Sequence, residues 1–146
     1  SVHYVVSYEI ALHLIAPNST LLALTGVQSI KRLQPFWQKN TTYFRILNRP
    51  ESLAIAQESN FPKTQLILGL PSDNLANEIS LLTKKGITVL LTKETGTSGF
   101  LATKIEAAIK TNCCIIIITA PRTPAYFELV YSTEELEHKL AKIWGL

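Results

Sequence analysis

A run of four isoleucines at positions 115–118 restricts most strongly how this chain can fold. Successive side chains of a strand point to opposite faces, so a strand that is aliphatic throughout must be covered on both faces. Sheets covered on both faces are typically parallel, and helices connect their strands. The run therefore predicts a buried parallel strand over residues 115–119.

Strand-like and helix-like segments alternate along the rest of the chain. Four more strands are predicted over residues 20–25, 42–47, 65–68 and 87–91. Helices are predicted over residues 8–15, 29–39 with a bend at Pro35, 51–59, 73–85 with Gly86 as its stop, and 100–110. A short final strand over residues 126–131 and a helix capped by Ser132 and Glu135 would follow. This pattern predicts a doubly wound, Rossmann-like α/β fold: a parallel sheet of about five strands with helices on both faces, in a single domain over residues 1–146.

Composition excludes several classes of protein. The net charge of +3 is too mild to favour a nucleic-acid partner. The apolar run is far shorter than the ~20 residues of a membrane span, and no signal peptide is visible. Cys113 and Cys114 are adjacent and cannot easily bridge each other, which favours a reduced, cytoplasmic compartment. No spacing indicates a metal site, and the histidines share no catalytic motif. The chain has no Met, and we expect it to be a piece of a longer protein.

In doubly wound sheets, ligands bind beyond the carboxyl ends of the strands. The first such loop holds Thr25, Gly26 and Val27, where a glycine turn can present backbone amides to a phosphate. An ordinary turn between strand and helix explains it equally well, since the full dinucleotide fingerprint is absent. In the second loop Arg49 stands where NAD-selective folds place an acidic residue. An arginine there favours the 2′-phosphate of NADP, although a solvated surface arginine is the alternative.

The later loops add polar candidates. Gly69 could keep the third loop open to a ligand, and Ser72 is expected to cap the next helix. The fourth loop is the most informative, because it is long, rich in hydroxyls and precedes a helix. Its candidates are Thr92, Lys93, Gly96 and Gly99. Lys104 and Arg122 are ambiguous, and spacing alone favours a solvated lysine at position 104.

These loops, in this order, resemble the precorrin-6A reductase family, including its cobalt-precorrin-6A branch. The segments that carry the resemblance are LLALTG at 21–26, RILNRPE at 45–51, GLPSDN at 69–74 and VLLTKETGTSGFLATKIEAA at 89–108. The similarity runs from about Val6 to the C-terminus. It corresponds to the C-terminal half of a two-domain enzyme, whose N-terminal half is absent here.

The resemblance implies an NADPH-dependent reduction of one carbon–carbon double bond of precorrin-6A, or cobalt-precorrin-6A, to precorrin-6B in cobalamin biosynthesis. It implies a cofactor site drawn from the loop residues above and substrate contacts from Lys93, Lys104 and Arg122. The tetrapyrrole would lie between the two halves, and this chain alone would show little or no turnover. Hydride transfer is the cofactor's chemistry, so no catalytic residue of the chain is implied.

A second hypothesis stays open on the same residues. A nucleotide- or anion-binding α/β module without catalysis would also use the Lys93 loop. A flavodoxin-like domain is less favoured, because no Ser/Thr-rich phosphate loop follows the first predicted strand.

Overall fold

A computed structural model describes residues 1–70, 72–94 and 100–119. The strands are β1 Val2–Val5, β2 Leu21–Leu24, β3 Thr42–Ile46, β4 Leu66–Leu68, β5 Val89–Lys93 and β6 Cys114–Ile118. The helices are α1 Tyr8–Leu14, α2 Ser29–Arg32, α3 Gln34–Trp37, α4 Pro50–Glu58, α5 Leu75–Lys85 and α6 Leu101–Lys110, with a 3-10 turn at Lys63–Gln65.

All strand pairs are parallel, in the order β1-β6-β5-β2-β3-β4. The prediction of a parallel α/β sheet is confirmed, and all five strands predicted within the described residues are present. The sequence missed β1 at the edge of the sheet. Val2, His3 and Tyr4 are exposed there and only Val5 is buried, so the strand carries no apolar pattern.

The core is divided between the two faces of the sheet. One face packs on α1 to α4 and is centred on Phe44, Leu91 and Ile116. The other packs on α5 and α6 and includes Leu90 and Ile117. Residues 115–118 are all buried and contribute alternately to the two clusters, as the isoleucine run predicts. Cys113 and Cys114 also pack on opposite faces, and both thiols are free.

The helix predicted over residues 29–39 is in fact two helices of one turn each. They meet at Leu33, and Pro35 lies in the first turn of α3. Proline has no amide hydrogen to donate, so it is accepted in a first helical turn and interrupts a continuous helix. None of the helices described is long and apolar enough to cross a bilayer. The predicted strand at 126–131 and the helix after Ser132 lie outside the described residues.

Gly86 ends α5 in the left-handed conformation, with φ +63°, as predicted. Its amide donates to Thr83, and the Ile87 amide donates to Leu82 over 3.0 Å, which completes a Schellman motif. A Cβ at position 86 would meet no atom within 4 Å, so a side chain there is opposed only by the left-handed backbone conformation.

Gly86→Ala is expected to lower the free energy of unfolding by about 1 kcal/mol, and Gly86→Asn by less. Urea unfolding measures both, with exposed Lys84→Ala as the control; an unchanged Gly86→Ala would contradict the expectation.

Candidate functional site

The sheet changes winding direction between β2 and β5. From β2 the chain proceeds through α2, α3 and α4 on one face to β3 and β4, and then returns through α5 on the other face to β5. The connections on either side of β2 and β5 therefore diverge, which leaves a crevice beyond the carboxyl ends of these strands. The loop after β2 and the end of β5 lie at this point, as the sequence predicts.

The turn after β2 is tied together by its own hydroxyls. Thr25 is buried, with its Oγ1 2.6 Å from Oγ of Ser29, and Ser29 in turn donates to the Gly26 carbonyl over 2.6 Å. The Thr25 hydroxyl therefore stabilises the turn rather than facing the crevice. Gly26 is exposed with φ +88°, a conformation that strains other residues. The amides of Gly26, Val27 and Gln28 donate to no acceptor within the described segments.

The free amides of this turn could bind one phosphate oxygen or more. Their electrostatic support is modest, because α2 has only four residues and a small macrodipole. Val27 is half-buried and packs on the core, so it would contribute its backbone only.

Arg49 is exposed three residues after the end of β3, the strand beside β2. It precedes α4, where Pro50 occupies the first helical position. No hydrogen bond within the described parts of the chain restrains its guanidinium. The side chain is thus free to meet a ligand at the edge of the crevice.

The third loop corrects one prediction. Asn74, not Ser72, caps α5: its side-chain oxygen accepts from the Asn77 amide over 3.1 Å. Ser72 instead accepts from the Asn74 amide over 3.0 Å, which forms a turn just before the helix. Gly69 donates its amide to Ile46 over 3.0 Å and so continues the ladder between β3 and β4.

The fourth loop is described only in part. Lys93 is exposed at the last position of β5, where a positive side chain can meet an anionic ligand. Thr92 beside it is buried. Gly96, Gly99 and Arg122 lie outside the described residues.

A buried ion pair lies beneath this edge of the sheet. Arg45 of β3 donates through Nη1 to both carboxylate oxygens of Glu78 on α5, over 2.9 and 3.0 Å. The two side chains are only 8% and 4% exposed. Arg45 is therefore held by Glu78 and is not a second surface arginine beside Arg49.

Lys104 on α6 is buried beside this ion pair. The prediction of a solvated lysine at position 104, which rested on spacing alone, is therefore wrong. Lys104 is only 4% exposed, and its Nζ donates to Oγ1 of Thr92 over 3.3 Å. The pKa of Lys104 is lowered to about 8: burial is the largest cause, the nearby Arg45 guanidinium acts in the same direction, and Glu78 acts against both. We call Arg45, Glu78, Lys104 and Thr92 the buried cation cluster.

Sequence reasoning missed Glu78, although two weak signals were present. Glu78 lies three residues after Leu75 and four before Leu82, within the apolar stripe of α5. Arg45 is two residues after Tyr43, so the two side chains share a face of β3. A charge at an inward position of each element indicates that the two meet. Within the same described segments, no group of three or more His, Cys, Asp or Glu could hold a metal ion.

Comparison with known proteins gives consistent similarities. A family model described as precorrin-6x reductase CbiJ/CobK matches residues 1–141. A cobalt-precorrin-6A reductase from Priestia megaterium is 30% identical over 141 residues, covering 92% of this chain and 54% of that protein. The chain thus spans about half the length of this curated relative. A solved structure named CobK precorrin-6A reductase has a TM-score of 0.68 at 18% identity, covering 84% of this chain and 48% of that one, and shows the same fold.

Proposed function

The chain belongs to the precorrin-6x reductase CbiJ/CobK family, and from this premise we propose that it is part of an NADPH-dependent reductase. The reaction would convert precorrin-6A, or cobalt-precorrin-6A, to precorrin-6B in cobalamin biosynthesis. The observation that carries the proposal is the family match over residues 1–141. In this proposal the chain forms one wall of the cleft, and a second domain of the full reductase forms the other.

The crevice offers groups that suit a nicotinamide dinucleotide. The turn at Gly26 has backbone amides that donate to no acceptor in the described residues and are of the kind that bind phosphate oxygens. The exposed Arg49 is one strand away. Arginine suits a 2′-phosphate because its guanidinium can donate two parallel hydrogen bonds. NADPH, when bound, supplies the hydride, so this chain needs only to bind and orient the reactants. The further proposed cofactor contacts are Gly69, Ser72, Thr92, Lys93, Gly96 and Gly99.

The proposed substrate is a tetrapyrrole with several carboxylates, which requires cationic partners. Lys93 is exposed at the end of β5 and can meet a carboxylate directly. Lys104 and Arg122 complete the proposed set, with Lys104 acting from beneath the edge of the sheet. The proposed compartment is the cytoplasm, where free thiols such as Cys113 and Cys114 persist.

The cofactor preference can be tested on this chain. We expect tighter binding of NADPH than of NADH, followed by nicotinamide fluorescence. Arg49→Ala should weaken NADPH binding about tenfold to a hundredfold and leave NADH nearly unchanged, because a charge-assisted contact is worth roughly 1.5–3 kcal/mol.

The matched control for Arg49 is Arg32→Ala, which removes another exposed arginine. This variant should bind both nucleotides as the unaltered chain does. Equal or undetectable binding of the two nucleotides would rule out this set of loops as the cofactor site.

A further inference from the structure

The buried cation cluster is unbalanced in charge. It contains two cations, Arg45 and Lys104, and one carboxylate, Glu78. Both oxygens of Glu78 are used by Nη1 of Arg45, while the buried Nη2 of Arg45 has no hydrogen-bond partner in the described parts of the chain. An uncompensated buried charge costs several kcal/mol. One more anionic group would balance the charge and satisfy this donor.

The cluster is placed where a ligand could supply that group. Leu24 pairs with Thr92, and Ala23 pairs with Phe44, so Arg45 and Thr92 lie on either side of Leu24. Strands are about 4.8 Å apart, which puts the two backbones roughly 10 Å from each other. The next residues after Leu24 form the turn at Gly26. The cluster therefore lies near the carboxyl ends of β3 and β5, on the face of the sheet that α5 and α6 cover and on the same edge as the crevice.

We propose that the buried cation cluster is a receptor for one singly charged oxyanion, with Nη2 of Arg45 and Nζ of Lys104 as its donors. Glu78 neutralises one of the two cations, so the cluster balances a single negative charge. A carboxylate or a phosphodiester fits this requirement, whereas a doubly charged phosphate monoester or sulfate does not. The inference rests on the proposed function for the source of this anion. The source is either a carboxylate of the substrate or one of the two phosphoryl groups in the pyrophosphate bridge of the dinucleotide, each of which carries a single charge.

The test uses acetate and dimethyl phosphate as small probes, since neither titrates between pH 6 and 9. We expect at least one to bind saturably and to raise the thermal unfolding midpoint at constant ionic strength. Lys104→Met should weaken that binding about tenfold or more, and Lys104→Arg should largely keep it. Lys110→Met, which removes an exposed lysine of the same helix, should have no effect. Acetate alone would identify the substrate carboxylate as the source, and dimethyl phosphate alone would identify the pyrophosphate.

A second measurement needs no variant. Arg45, Glu78 and Thr92 are the groups that face Lys104 from β3, α5 and β5. An anion at the cluster should raise the pKa of Lys104 from about 8, and this shift can be followed by NMR of the lysine ammonium groups. Probe affinity should fall above that pH, as Lys104 loses its proton.

Two results would contradict the proposal that the cluster is an oxyanion receptor: no saturable binding of either probe, or a Lys104 pKa that neither probe moves. Such a result can be distinguished from evidence against the proposed reductase function. The probes are free ions, so their failure leaves the Arg49-dependent preference for NADPH intact. Conversely, an absent NADPH preference with intact probe binding would rule out the proposed cofactor loops and keep the receptor.

Discussion

Replacing Glu78 by alanine is expected to lower the free energy of unfolding by about 3–5 kcal/mol, because it leaves Arg45 and Lys104 buried as two unpaired cations. Arg45→Met should cost less, since Glu78 then keeps Lys104 as a neighbouring opposite charge. Glu78→Ala leaves two buried cations and no carboxylate in the cluster, whereas Arg45→Met leaves one cation and one carboxylate. Glu78→Ala is therefore expected to lose more stability than Arg45→Met. An attraction between Arg45 and Glu78 alone would make the losses equal.

Urea unfolding of this chain in chloride buffer measures both variants. Glu106→Ala is the control, because it removes an exposed carboxylate from α6 and should change stability by no more than about 0.5 kcal/mol. The double variant Arg45→Met with Glu78→Leu should recover at least half of the loss, since apolar residues often replace buried ion pairs without cost. A Glu78→Ala variant as stable as the control would show that the pair contributes nothing.

Truncating Phe44 to alanine is expected to cost about 3–5 kcal/mol as well, through a cavity on the opposite face of the sheet. Phe44 is fully buried, and its ring meets Phe61 edge-on with centroids 5.0 Å apart. Phe61 in turn meets Trp37 edge-on at 5.1 Å. Loss of Phe44 therefore removes one member of a chain of three aromatic rings that joins β3 to α3.

The loss can be measured by urea unfolding followed by tryptophan fluorescence, to which Trp37 and Trp144 both contribute. Phe44→Leu should restore most of the stability, because it refills most of the volume. Leu70→Ala removes an apolar side chain that is 72% exposed and should change stability by no more than about 0.5 kcal/mol. A Phe44→Ala variant within that range would mean that the site collapses around the missing ring.

Local sequence patterns predicted much of this fold. They failed where contacts between residues distant in sequence, or the path of the backbone, determine the conformation. The isoleucine run indicated a strand buried on both faces, and Gly86 marked the end of α5. The cap at Asn74 was missed because Ser72 is an equally good cap by residue type. Only the backbone path shows that Ser72 forms the preceding turn.

The sequence predicted the exposed residues at the edge of the candidate site, but not the buried cation cluster beneath them. Arg49 and Lys93 were predicted to lie at this edge because a loop position after a strand can be read from the sequence; both are exposed there, and their roles stay predictions. The pairing of Arg45 with Glu78 joins residues 33 positions apart and depends on how α5 lies across the sheet. Lys104 looked solvated because a single sequence does not show which neighbours bury one face of a helix.

The pairing of β1 with β6 has a consequence for synthesis. Within the described residues, Val2–Val5 pairs with residues 115–118 alone, so this partner is made more than a hundred residues later. At roughly 5–20 residues per second, the ribosome needs about 6–20 s to reach that partner. Throughout this interval β1 lacks β6, its partner among the described strands, while β2 to β5 can already assemble. Of the six described strands, β1 is therefore translated first and incorporated last, because its pairing waits until β6 has formed.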